Sequence, residues 1–174
     1  GSDRDLIFGN QGDDTIEGGD GNDTVFGGQG QDSILGSDGI DQLYGNAGND
    51  TIVGGVGNDE ISGGGDHDLL IGSGGADTLY GGSGDDSINS GSDADMVFGN
   101  QGNDTIEGGD GADTIFGGQG DDSMLGTDGN DVLYGNAGND TLLGGAGVDT
   151  LSGGAGDDSV DGTDGGADVL YGDA

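Results

Sequence analysis

Apolar residues fall at every ninth position along this chain. Ile7, Ile16, Val25, Ile34, Leu43, Ile52, Ile61 and Leu70 begin the series, which runs unbroken to Val160 before Leu170 arrives one residue late. Two positions before each of them stands an aspartate. Within the segment D-x-U-x, where U is apolar, side chains alternate between faces, which predicts a short strand with U on one side and its neighbours on the other. A glycine follows each aspartate by four residues (Ser90 excepted) and another by seven (Asp66 and Asp93 excepted). The six residues G-G-x-G-x-D therefore read as a turn, in which glycine permits left-handed conformations and close backbone approach. A unit this small cannot bury its apolar face alone and must stack on copies of itself. Stacking gathers the U residues into one narrow core between two thin sheets.

Composition narrows what the stack can be. The 174 residues include 48 glycines and 36 acids against a single Lys or Arg, for a net charge of −35, and only 28% are apolar. Such a balance alone would signal disorder, but a disordered chain has no reason to hold a nine-residue register. Collagen would need proline and a three-residue period, and proline is absent. Without cysteine no disulfide can staple the chain. No apolar run approaches the ~18 residues of a membrane span, and no basic patch exists to neutralise the phosphates of a nucleic acid. What remains is a repeat fold completed by cations.

The unit G-G-x-G-x-D-x-U-x, seen as GGDGNDTVF at 18–26 and GGQGQDSIL at 27–35, resembles the RTX (repeats-in-toxin) calcium-binding nonapeptide, and the resemblance covers essentially the whole chain. It implies an all-β fold, a right-handed parallel β-roll with two nonapeptides per turn and about nine to ten turns, as a single solenoid over 1–174. It implies Ca²⁺ ions seated between successive turns on each edge, and a bacterial protein exported by type I secretion to the cell surface or the extracellular medium.

The residues suit that expectation chemically. Turn carbonyls and aspartate carboxylates are the hard oxygens that Ca²⁺ prefers. One turn cannot supply six or more of them, but a turn and the one eighteen residues on can share an ion. The aspartates sort into two edge columns. Candidate ligands on one edge are Asp23, Asp41, Asp59, Asp77, Asp113, Asp131 and Asp149, with turn carbonyls at Gly19, Gly21, Gly55, Gly57, Gly109, Gly111, Gly145 and Gly147. On the other they are Asp14, Asp32, Asp50, Asp68, Asp86, Asp104, Asp122, Asp140 and Asp158, with Gly28, Gly30, Gly48, Gly82, Gly84, Gly102, Gly118, Gly120, Gly138, Gly154 and Gly156. The gaps allow up to ~17 ions.

Nineteen small apolar side chains bury far too little surface to offset ordering so glycine-rich a backbone. The chain is therefore expected to be expanded without metal and to fold on binding Ca²⁺. Other cation chemistries fit less well. No stretch has the ligand spacing of an EF-hand, and zinc or iron would want thiols or imidazoles where there is only His67, in the variable position before Asp68. Gly-x-Gly triplets without lysine, in so negative a field, do not cradle phosphate. No base is placed to activate a serine, so the chain reads as non-catalytic.

Residues 1–84 reappear at 91–174, and ninety residues is five full turns, so the duplication preserves the edge on which each turn falls. Weakened or absent ion sites are expected at the Asp66 turn, the Asp93 turn and the one-residue insertion near 162–168. No cap or secretion signal is evident at 172–174, which reads as a segment of a longer protein. All eight aromatics share one outward column: Phe8, Phe26, Tyr44, Tyr80, Phe98, Phe116, Tyr134 and Tyr171, interrupted by Ser62 and Ser152. It reads first as a self-stacking ladder that fixes register. The second reading is a docking face for another protein or a second copy, and the third a carbohydrate-stacking face. A structural or adhesive segment of a surface-layer protein or adhesin is the alternative function. Ice binding, known for related solenoids, is disfavoured, because the loop column reads Gln11, Asp20, Gln29, Asp38, Ala47, Val56 rather than a regular Thr or Asn row.

Overall fold

The computed structural model describes residues 1–162 and 165–172. Nineteen strands follow one another with no helix between them among these residues, from β1 (Leu6–Gln11) and β2 (Thr15–Asp20) to β18 (Ser159–Asp161) and β19 (Val169–Tyr171). Odd-numbered strands form one ten-stranded sheet and even-numbered strands a nine-stranded sheet, each in sequence order and parallel throughout. Partners are eighteen residues apart, as in Ile7 opposite Val25 and Ile16 opposite Ile34, except in the last pair, where Leu151 lies opposite Leu170. One coil is thus two nonapeptides, and about nine coils make a parallel β-solenoid.

The nine-residue apolar series is the core. Sixteen of its members, from Ile16 to Leu151, are buried between the sheets, and Ile7 and Val160 pack partly buried against them. Every buried apolar side chain rests on the equivalent residue of the next coil, so no large residue and no long-range fit is needed.

The strands are longer than the alternation predicts. Most span six residues and run on through the first two glycines of the turn, as in TIEGGD at Thr15–Asp20. The reason is register: each coil repeats the last, so backbone pairing continues wherever conformations match, with or without side chains. Bonds such as Gly12 N–H to Gln29 O (2.8 Å) and Thr24 N–H to Asp5 O (2.9 Å) carry it around the corner. A consequence is that the first glycine of each turn faces inward: Gly18, two residues after Ile16, is buried beside it.

On the outer face of the odd sheet, Phe8, Phe26 and Tyr44 stack with centroids 5.2 and 4.9 Å apart. Tyr80, Phe98, Phe116 and Tyr134 do so at 5.0, 5.0 and 5.1 Å. These are the offset separations that aromatic pairs favour. Among the described residues no helix is long and apolar enough to cross a membrane.

Candidate metal centre

Each edge of the solenoid is a column of aspartates that follow the turns. From Asp23 on, each such aspartate uses its two oxygens differently. Oδ1 accepts the backbone N–H of the aspartate one coil earlier, from Asp5 to Asp23 (2.7 Å) through Asp59 to Asp77 (2.7 Å) to Asp140 to Asp158 (3.0 Å). Oδ2 is buried and has no hydrogen-bond partner in all seventeen motif aspartates from Asp14 to Asp158. Buried polar atoms are almost always paired, so a repeating row of unpaired carboxylate oxygens points to a ligand.

The surroundings of Oδ2 indicate which kind. A Cβ built on Gly54, the first glycine of its turn, would stand 2.6 Å from Asp59 Oδ2 and 2.8 Å from the carbonyl oxygen of Gly72 in the next coil. On Gly108 it would stand 2.6 Å from Asp113 Oδ2 and 2.9 Å from Gly126 O. The absence of a side chain there lets one carboxylate oxygen and one main-chain carbonyl from the adjacent coil approach the same point. Among the described residues no three acidic, thiol or imidazole side chains are placed to hold a metal ion together. The donor set is instead single carboxylates with carbonyls, which suits a hard, oxygen-seeking cation and not zinc or iron.

All the glycines named as candidate carbonyl ligands adopt positive φ except Gly111, which lies at the end of β12 (Thr105–Gly111). Their Cα atoms sit on carbonyls of the coil below: a Cβ on Gly21 would meet Asp3 O at 2.6 Å. The carbonyls of these second and fourth turn positions thus run along the solenoid axis. What converges on Oδ2 is the first-position carbonyl, which the sequence reading left out. Its signal was the glycine four residues after each aspartate, read only as turn chemistry. Asp95, not among the candidate ligands named from the sequence, is buried and accepts Asp77 N–H as its equivalents do.

The departures from the repeat separate into two kinds. Asp66 (φ 75°) and Asp93 (φ 78°) keep the left-handed turn that glycine makes elsewhere. Near Asp66 the Gly48 N–H to Gly65 O bond lengthens to 3.3 Å, while equivalents elsewhere are 2.8–3.0 Å. Ser90 is different. It stands at a first-glycine position, is fully buried, and its hydroxyl donates to Gly108 O at 2.7 Å. At the turn leading to Asp95 that position carries a side chain. The third expected departure, near 162–168, lies partly outside the described residues.

Burial pushes the carboxyls up from 3.8: Asp59, Asp86, Asp95 and Asp131 to about 6, Asp68, Asp77 and Asp122 to about 7. The N–H donated by the coil before opposes this, and nearby carboxylates reinforce it. The position before the motif aspartate also does work that the sequence reading missed. Asn22 Oδ1 accepts Ile40 N–H (3.1 Å) and Asp121 Oδ1 accepts Asn139 N–H (2.7 Å), one coil on. His67 joins this ladder, its exposed Nδ1 accepting Asp85 N–H at 2.8 Å.

The model of the RTX calcium-binding nonapeptide repeat matches residues 1–34, 35–70, 62–97, 90–124, 98–133, 125–160 and 146–174. The chain belongs to this family. It is a calcium-binding RTX repeat module, and the family and its solenoid are structural rather than catalytic. Among solved structures it is similar in fold to a hyperactive, Ca²⁺-dependent, β-helical antifreeze protein from an Antarctic bacterium, with TM-score 0.54 and 24% identity. The match covers 98% of this chain and 65% of that one. No curated protein matches significantly.

Proposed function

We propose that this RTX segment is a non-catalytic folding module of an exported bacterial protein, driven from an expanded chain to a solenoid by Ca²⁺ taken up along both edges. The row of unpaired Asp Oδ2 atoms carries the reading. An ion bridging each such oxygen to carbonyls of the next coil neutralises the column and joins successive coils at once. The same ligands are too far apart to act together in an unfolded chain, so binding energy becomes folding energy. The proposal extends to export through a type I channel in the expanded state and folding outside, where calcium is abundant. The turn leading to Asp95 is the exception, its first-glycine position taken by Ser90.

The experiment is circular dichroism in EDTA and then in millimolar Ca²⁺. Above pH 7 a β spectrum should appear only with calcium, and a strong β signal in EDTA at that pH would sink the proposal.

The ninety-residue duplication favours a second reading, a load-bearing or adhesive segment that lengthens by whole turns. The neighbouring antifreeze structure does not extend to ice binding here, because the outer loop column keeps no regular polar row. Absence of thermal hysteresis is the expected result.

A further inference from the structure

The aromatic ladder of the odd sheet lacks a rung at Ser62. Strands β5 (Gln42–Ala47), β7 (Glu60–Gly65) and β9 (Thr78–Ser83) pair in register, so Tyr44, Ser62 and Tyr80 lie directly over one another. With strands ~4.8 Å apart, the two tyrosines flank Ser62 across ~10 Å, room for one flat group at the ~5 Å separation favoured by stacked rings. At the mouth of this slot stands Glu60, half-buried, its carboxylate held by two long contacts, from Tyr44 OH (3.3 Å) and Gln42 Nε2 (3.4 Å). A groove of about 550 Å³ runs along the adjoining edge, with Tyr80, Thr78, Glu60 and Gln42 in its wall.

We infer that the slot between Tyr44 and Tyr80 receives an arginine side chain from a partner protein, its guanidinium layered between the two rings and paired with Glu60. Flatness matches the missing rung, and positive charge matches both Glu60 and the surrounding field of a chain with net charge −35. An ammonium group is neither flat nor weakly hydrated, so lysine fits less well. An uncharged ring fits the gap but leaves a half-buried carboxylate facing it. The slot needs the folded solenoid and is otherwise independent of how many ions the edges hold.

The duplication provides an internal control. Tyr134, Ser152 and Tyr171 repeat the gap, but Thr150 stands where the first copy has Glu60. The test titrates the Ca²⁺-folded protein with the capped tripeptides Gly-Arg-Gly and Gly-Lys-Gly and with methyl glucoside, following tyrosine ring resonances assigned by single Tyr→Phe variants. Circular dichroism checks the fold in each arm. The Arg peptide should shift Tyr44 and Tyr80 saturably and leave Tyr134 and Tyr171 unmoved, binding about tenfold more tightly than the Lys peptide. Ser62→Phe, which completes the ladder, should abolish the shift with the fold intact. Glu60→Gln should weaken it about tenfold. Equal response to lysine or to the neutral sugar, equal shifts at the second gap, or undiminished binding by Ser62→Phe or Glu60→Gln would overturn the inference.

Discussion

Gly54→Ala places a methyl group where the oxygens of an inter-coil site converge. Gly54 faces inward from β6 (Thr51–Val56), and its φ lies outside the left-handed region, so the backbone itself accepts alanine. The new Cβ meets Asp59 Oδ2 at 2.6 Å and Gly72 O at 2.8 Å. Gly72 lies inside β8 (Leu69–Gly74), paired on both sides, and cannot retreat. The carboxylate Oδ2 must shift while Oδ1 keeps the bond from Asp41 N–H (2.8 Å), as Asp95 does beside Ser90, where the bond from Asp77 N–H stays at 2.7 Å. Overpacking of this kind costs about 1–3 kcal/mol, and the space beside Oδ2 is closed to an ion. Gly74→Ala is the matched control, in the turn stacked directly on this one. Its Cβ would find only Ser92 Oγ at 3.6 Å and Gly55 O at 4.0 Å, so alanine there is neutral or stabilises by about 0.4–1 kcal/mol. The assay is a calcium titration followed by circular dichroism, with calorimetric stoichiometry on the folded proteins. Gly54→Ala should fold at higher calcium and bind fewer ions, while Gly74→Ala overlays the parent. Equal midpoints and equal stoichiometry for the two variants would refute the placement of the ion beside the first glycine.

The converse change, Ser90→Gly, removes the side chain before Asp95 and should raise the number of bound ions; unchanged stoichiometry would show that Ser90 blocks nothing. Acid should partly replace calcium. The buried aspartates bind protons more tightly folded, near pH 6–7 for the seven highest, than in the unfolded chain at 3.8. Their contribution is thus fully present below about pH 4 and lost as pH rises through 6–7. Metal-free β signal should accordingly grow on acidification, and calcium midpoints should worsen below pH 7; a metal-free spectrum flat between pH 7 and 4 would contradict the burial of these carboxyls. Asp77→Asn keeps the acceptor for Asp59 N–H but not the charge, so it should weaken the calcium response without destabilising the acid form, as paired titrations would show. Thr127, β-branched at φ 89°, should yield about 1–2 kcal/mol on replacement by glycine, read from urea unfolding at saturating calcium.

Most of the solenoid was legible because its code is local and repeated. Ile16, Asp14 and Gly18 each recur in fixed register, and stacking is the one arrangement that satisfies them all. The strand ends were not legible, because pairing through Gly18 and Gly19 depends on the coil eighteen residues away and not on side-chain alternation. For the same reason the meeting of oxygens beside Asp59 was invisible: it depends on an atom that Gly54 lacks and a carbonyl that Gly72 supplies. The Asn22 and His67 ladder was hidden by variety, since asparagine, aspartate and histidine supply the same acceptor and look unrelated as letters. Ser90 was legible as an exception but not as a plug, which took the 2.7 Å bond to Gly108 O to see.

The bond from each aspartate N–H to the carboxylate one coil ahead gives the stack a direction. Parted between any two coils, one surface bears amide donors and the other bears the carboxylates that matched them. The two cannot be exchanged, so pieces can rejoin only head to tail, in the order the chain runs. A coil already in place holds out a row of donors spaced to receive the next one. Growth of such a molecule resembles the lengthening of a polar crystal by single layers, each new layer rebuilding the face on which it landed.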